Sequence, residues 1–115
     1  MEKNVKISIL CQIYGKLLTK KQFEIITDYY DNDLSLSEIA ENNQITRQAV
    51  RDIIKKSEKK LFELEEELSF MKKQAKQEKT VNSILEKLMK LEEQEAKQEN
   101  KKILEKAKEE LKTLI

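Results

Sequence analysis

At 115 residues the chain has room for one ordinary domain, or a small domain with an appendage, and not for two full cores. Charged residues make up 39% of it, yet 23 Lys and Arg nearly cancel 22 Asp and Glu, so the formal +1 carries no bulk signature of a nucleic-acid or membrane binder. With no histidine, one cysteine (Cys11) and one glycine (Gly15), a His-based triad or metal site, a CxxC pair and a glycine-rich phosphate loop are all excluded; no cofactor, no metal and no catalysis are expected.

Leu, Ile, Val and Phe supply 32 residues, above the roughly 20% below which chains tend not to collapse, so the chain is expected to fold. Ala, Glu, Lys, Leu and Arg supply 60, and there is no proline, which points to an all-α protein of long helices. Cys11 reads as a small buried apolar residue. The apolar stretch from Ile7 to Tyr14 is short and lacks a small-residue cleavage site, and no run of 18 apolar residues spans a membrane. A cytoplasmic protein without membrane insertion is the expectation.

In chain order, Val5, Ile9, Leu10, Ile13, Tyr14 and Leu17 recur at helical spacing and predict a first helix ending near Leu18. Thr19-Lys-Lys-Gln22 fits a capping box and starts a second helix, with Phe23, Ile26 and Tyr30 as its buried stripe and Asp31-Asn32-Asp33 as its end. Ser35-Leu-Ser-Glu38 is another capping box; the third helix it opens carries Leu36, Ile39 and Ala40 and runs out at Asn42-Asn43. Thr46 caps a fourth helix whose apolar positions Val50, Ile54, Leu61, Leu64, Leu68 and Met71, with Ser57 filling one slot, predict an unbroken run to about Ala75. Beyond it lie two aliphatic stripes, Val81, Ile84, Leu85, Leu88, Leu91 and then Ile103, Leu104, Ala107, Leu111, Leu114, separated by the polar stretch from Glu92 to Lys102. All six aromatic residues precede position 71, which divides the chain into a head over residues 1–70 and a helical tail for packing or oligomerisation over 71–115.

Residues 36 to 53 have the pattern of a helix-turn-helix. Two short helices crossing steeply need apolar contacts, here Ile39, Ile45, Val50 and Ile53, and a small residue at closest approach, here Ala40. Thr46, Arg47, Gln48, Arg51, Asp52 and Lys55 are then left on the outer face of the second helix. Arg pairs bidentately with guanine and Gln with adenine in a major groove, while Lys55, Lys56 and Lys59 reach phosphates. The alternative is a solvated helix face.

From Leu18-Thr-Lys-Lys-Gln22, through Tyr29-Tyr30 and Ser35-Leu-Ser-Glu-Ile-Ala40, to Thr46-Arg-Gln-Ala-Val50 and Lys59-Lys60-Leu61, the chain resembles region four of bacterial sigma factors. It is still more similar to the YlxM family of small bacterial helix-turn-helix proteins, over roughly residues 1 to 70, the tail matching in length and character. The resemblance implies a bacterial cytosolic regulator, encoded beside the signal recognition particle GTPase genes and linked to that pathway. Two departures stand out. Asn43 occupies a position usually apolar, and Gln44 one where Gly or Asn often supplies a left-handed turn, leaving either a looser turn or one shifted so that Asn43 takes the positive φ.

Glu63, Glu65, Glu66 and Glu67 continue the recognition helix with negative charge, read as a solvated, partner-facing block that opposes a phosphate backbone. Asp31-Asn-Asp33-Leu-Ser35 begins like a calcium loop but has Leu36 where glycine is needed and Asn42 where a bidentate Glu is needed. Ser57-Glu-Lys-Lys60 matches SxxK only formally, with none of its companion motifs. The expected partners are DNA, with RNA as the alternative, signal recognition particle components, and a second copy in a twofold homodimer, against a fold-back monomer as rival. A rival function is a protein or ribonucleoprotein adaptor of the signal recognition particle pathway without DNA affinity.

Overall fold

The computed structural model describes residues 1–115, as six helices and no strand. They are α1 (Lys3–Tyr14), continued by a 3-10 turn over Gly15–Leu17, α2 (Lys20–Tyr30), α3 (Leu36–Asn43), α4 (Arg47–Leu68), α5 (Phe70–Gln94) and α6 (Gln98–Lys112). The chain divides into two compact units, Met1–Met71 and Lys72–Ile115.

The first unit has two adjoining cores. Ile7, Leu10, Cys11, Tyr14 and Leu18 pack with Ile26 and Leu61; Ile25, Ile39 and Ala40 pack with Val50 and Ile54. Successive helical residues diverge by about 100°, so neighbouring Ile25 and Ile26 let α2 feed both cores. On α4 the stripe Val50, Ile54, Ser57, Leu61 does the same lengthwise, and buried Ser57 satisfies its hydroxyl by donating to the Ile53 carbonyl at 2.7 Å.

Both capping boxes form. The Thr19 and Ser35 hydroxyls accept from the Gln22 and Glu38 backbone N–H groups at 3.1 Å, and the Gln22 and Glu38 side chains accept from the two cap N–H groups. Elsewhere the structure corrects the expected faces. On α1, Ile7 is buried beside Cys11, whose burial was expected, while Val5 and, in the 3-10 turn that follows, Leu17 are exposed, because this helix is apolar around most of its circumference and only its partners select a side. On α2 the expected Ile26 is buried, but Ile25 is buried with it and Phe23 stays 40% exposed. Its ring lies against Gly15, where a Cβ would stand 2.8 Å from Phe23 Cε2.

Nor does α4 continue to Ala75: it ends at Leu68, with Ser69 left-handed at φ 56°. The cause is tertiary. The buried Tyr14 hydroxyl donates to the Glu65 carboxylate at 2.8 Å and accepts from the Phe70 N–H at 3.1 Å, while Glu65 accepts from the Met71 N–H at 3.0 Å. These two side chains satisfy the first N–H groups of α5, as a helix start requires. Burial, reinforced by the bond donated to Glu65, raises the Tyr14 pKa. Glu65 therefore leaves the expected solvated acidic block; Glu63, Glu66 and Glu67 remain exposed.

In the second unit α6 runs back along α5, with Gln77 donating to the Leu114 carbonyl at 3.1 Å and Lys108 paired with Glu92 at 2.6 Å. Val81 is its one buried residue; Ile84, Leu91, Ile103 and Leu114 are exposed.

Candidate nucleic-acid interface

The turn between α3 and α4 fixes the angle of the proposed reading helix. Gln44, not Asn43, takes the left-handed conformation, at φ 54° and ψ 42°. Its N–H reaches the Glu41 carbonyl at 3.2 Å and the Ile45 N–H reaches the Ala40 carbonyl at 3.0 Å, the paired bonds of a Schellman ending. Ile45 packs into the core beside Ala40. Asn43 performs a polar version of the expected apolar seal: its amide donates to the Ile39 carbonyl at 2.8 Å, and its oxygen accepts from Lys21 Nζ at 2.9 Å. The turn is tight, and α2 holds it.

Thr46 then starts α4, its hydroxyl accepting from the Ala49 N–H at 3.0 Å. Thr46 is exposed, as are Arg47, Gln48, Arg51, Lys55, Lys56 and Lys59. Arg47, Arg51, Lys55 and Lys56 have no carboxylate partner in the chain, and Lys59 makes only a 4.0 Å contact with Glu63. The residues are not equivalent around the helix. Gln48, Asp52 and Lys59 lie opposite the buried stripe. Arg51 and Lys55 border a groove of about 450 Å³ with Tyr29, Leu36 and Glu58, whereas Lys56 and Lys59 border another of about 400 Å³ with Lys60, Leu17 and Gln22. Arg51 and Lys55 thus border one groove beside α4, and Lys56 and Lys59 the other.

Gln48 Nε2 donates to Asp52 Oδ1 at 3.0 Å, which aims the amide but places a carboxylate among the outward residues. Sequence reasoning did not find the contributions of Lys3, Tyr29 and Lys60, because α1, α2 and the far turns of α4 bring them to the flanks only in three dimensions. The doubled tyrosine at 29 and 30 was a visible signal. Of the two, Tyr30 turns partly inward, donates its hydroxyl to Glu58 and has its pKa raised chiefly by burial. In the Asp31–Ser35 segment, Asp31 accepts from the Ser8 hydroxyl and Asp33 is left-handed at φ 54°.

No helix is long and apolar enough to cross a membrane. A family described as "Putative helix-turn-helix protein, YlxM / p13 like" (UPF0122) matches residues 1–112. The chain is similar to the UPF0122 protein of Clostridium botulinum, with 46% identity over 88 residues, 76% of this chain and 81% of that one. It shares 51% identity over 73 residues with a UPF0122 protein of Clostridium perfringens, 64% of this chain and 65% of the relative. With that of Malacoplasma penetrans it shares 53% over 66 residues, 57% and 62% of the two chains.

Proposed function

The chain belongs to the UPF0122 family of YlxM/p13-like helix-turn-helix proteins, and on that premise we propose that it is a DNA-binding regulator of the sigma-region-four type, acting in the cytoplasm as a homodimer. The family is described by a structural motif and not by a catalytic activity. One observation carries the reading: α3 and α4 cross over Ala40 and Val50 in a tight turn, leaving Arg47 and Arg51 outward and free of acidic partners. In this reading Thr46, Arg47, Gln48 and Arg51 meet base edges in a major groove, and Lys55, Lys56 and Lys59 meet phosphates.

A second reading is favoured by the exposed Glu63, Glu66 and Glu67 further along α4 and by the near-zero net charge. Here the head is an adaptor in the signal recognition particle pathway, docking on its protein or RNA. Fluorescence anisotropy of the intact protein separates the two, against random duplex DNA and against signal recognition particle RNA over a salt series. Phosphate contacts make affinity fall as salt rises. The first reading expects Arg47→Ala with Arg51→Ala to weaken duplex binding at least tenfold, from about 1–3 kcal/mol per lost base contact. Unmoved curves for both ligands remove α4 from the interface.

A further inference from the structure

The groove on the Arg51 flank of α4 is unlike the convex face expected to enter a duplex. Leu36 and Ile54 supply apolar lining, Tyr29 and Tyr30 lie on the α2 side, and Lys3, Arg51 and Lys55 provide cations, in an opening of about 450 Å³. Glu58, the groove's carboxylate, is already engaged: Tyr30 donates to it and Lys3 pairs with it at 3.2 Å. Arg51 and Lys55 are consequently the unspent charges. Tyr30, anchored by Glu58, stands edge-on to Tyr29 with ring centroids 5.1 Å apart, so the Tyr29 ring is braced while 36% of the residue stays in water.

We infer that this groove binds single-stranded nucleic acid, an unstacked base lying on Tyr29 and the adjoining phosphates on Arg51 and Lys55. A braced, exposed aromatic ring beside unpaired cations is the combination that stacks bases without sequence preference. A duplex cannot use it, because its base faces are covered by their neighbours. A carboxylate-rich peptide would use the cations and leave the ring idle. The inference extends the proposed function, since Arg51 and Lys55 serve both surfaces, but Tyr29 belongs to the groove alone.

The test is anisotropy of intact protein with labelled oligothymidylate and oligouridylate dodecamers and, separately, with a duplex. Tyr29→Ala is expected to weaken both single strands about tenfold and Tyr29→Phe, which keeps the ring, by less than about twofold, with duplex affinity unchanged in both. Arg47→Ala serves as the reverse control, weakening the duplex more than the single strands. Because the chain has no tryptophan, tyrosine emission reports stacking directly: single strand should quench it in the wild type and less in Tyr29→Ala. Preference for oligouridylate assigns the groove to RNA, and equal binding to either polynucleotide. Absence of single-strand binding, an equal loss for strand and duplex in Tyr29→Ala, or Tyr29-dependent displacement of the strand by oligoglutamate overturns the inference. Loss of duplex binding alone overturns only the major-groove reading.

Discussion

Asp52 is the outward residue that works against a phosphate-facing role. It shares the face opposite the core with Gln48 and Lys59, and its carboxylate holds the Gln48 amide at 3.0 Å. Asp52→Asn keeps a hydrogen-bonding oxygen for Gln48 and removes the charge. Duplex affinity should rise about fivefold at low salt, equivalent to roughly 1 kcal/mol for one exposed charge near a phosphate, and the gain should shrink as salt is added. Unchanged affinity would place DNA elsewhere. Cys11 makes a different residue-scale claim, on stability. Burial, and then the negative charge of Asp31, push its pKa from 9.0 up to about 11. The unfolded thiol therefore ionises first. This contribution is fully present below about pH 9 and is lost as pH rises toward 11, on the order of 2 kcal/mol in all. Urea midpoints between pH 7 and pH 11 should fall more steeply for the wild type than for Cys11→Ala. Parallel curves would mean that the thiol does not contribute, leaving the slope to other groups such as Tyr14 and Tyr30, whose pKa values are also raised.

Among elements, the corner at Ser69 depends most on distant residues. Tyr14→Phe removes both the donor to Glu65 and the acceptor for the Phe70 N–H. With part-buried groups left short of partners, the cost should be about 1–3 kcal/mol in urea denaturation, while helical circular dichroism at low denaturant stays within error. A loss below about 0.5 kcal/mol would mean that Ser69 turns without this support. The same corner marks where the sequence is hard to read. Thr19, Ser35 and Thr46 announced α2, α3 and α4 because each cap is decided within four residues. The crossing at Ala40 was legible as well, since a small residue between apolar ones has few other uses. By contrast, the side chains that start α5 are far apart in the chain: Tyr14 lies 51 positions from Glu65. A 4,3 apolar spacing runs through Leu68 and Met71 unbroken, so periodicity alone continues α4. The left-handed Gln44 was obscured for a similar reason: Asn is the better left-handed residue, but Asn43 was already committed to Ile39 and Lys21.

At the scale of the whole molecule, charge and apolar exposure bear on the same question. Residues 1–71 hold 11 basic and 13 acidic side chains, so a lone head offers duplex DNA little long-range attraction. Two heads on one DNA would compensate through effective concentration, provided that a separate surface joins the copies. Within Lys72–Ile115, Ile103 is 66% exposed and Leu91 and Leu114 are 55% exposed, while Val81 alone is buried. The 12 Lys and 9 Glu interspersed there give a surface of mixed sign, compatible with a second copy of itself. Light scattering at tens of micromolar is accordingly expected to give twice the 13.6 kDa chain mass. Leu91→Glu with Ile103→Glu should return it to one chain mass, leave the unfolding transition of the head in place, and weaken duplex binding more than tenfold. A wild-type mass of 13.6 kDa would rule out the dimer, and DNA affinity would then have to come from a single copy of the proposed α4 face.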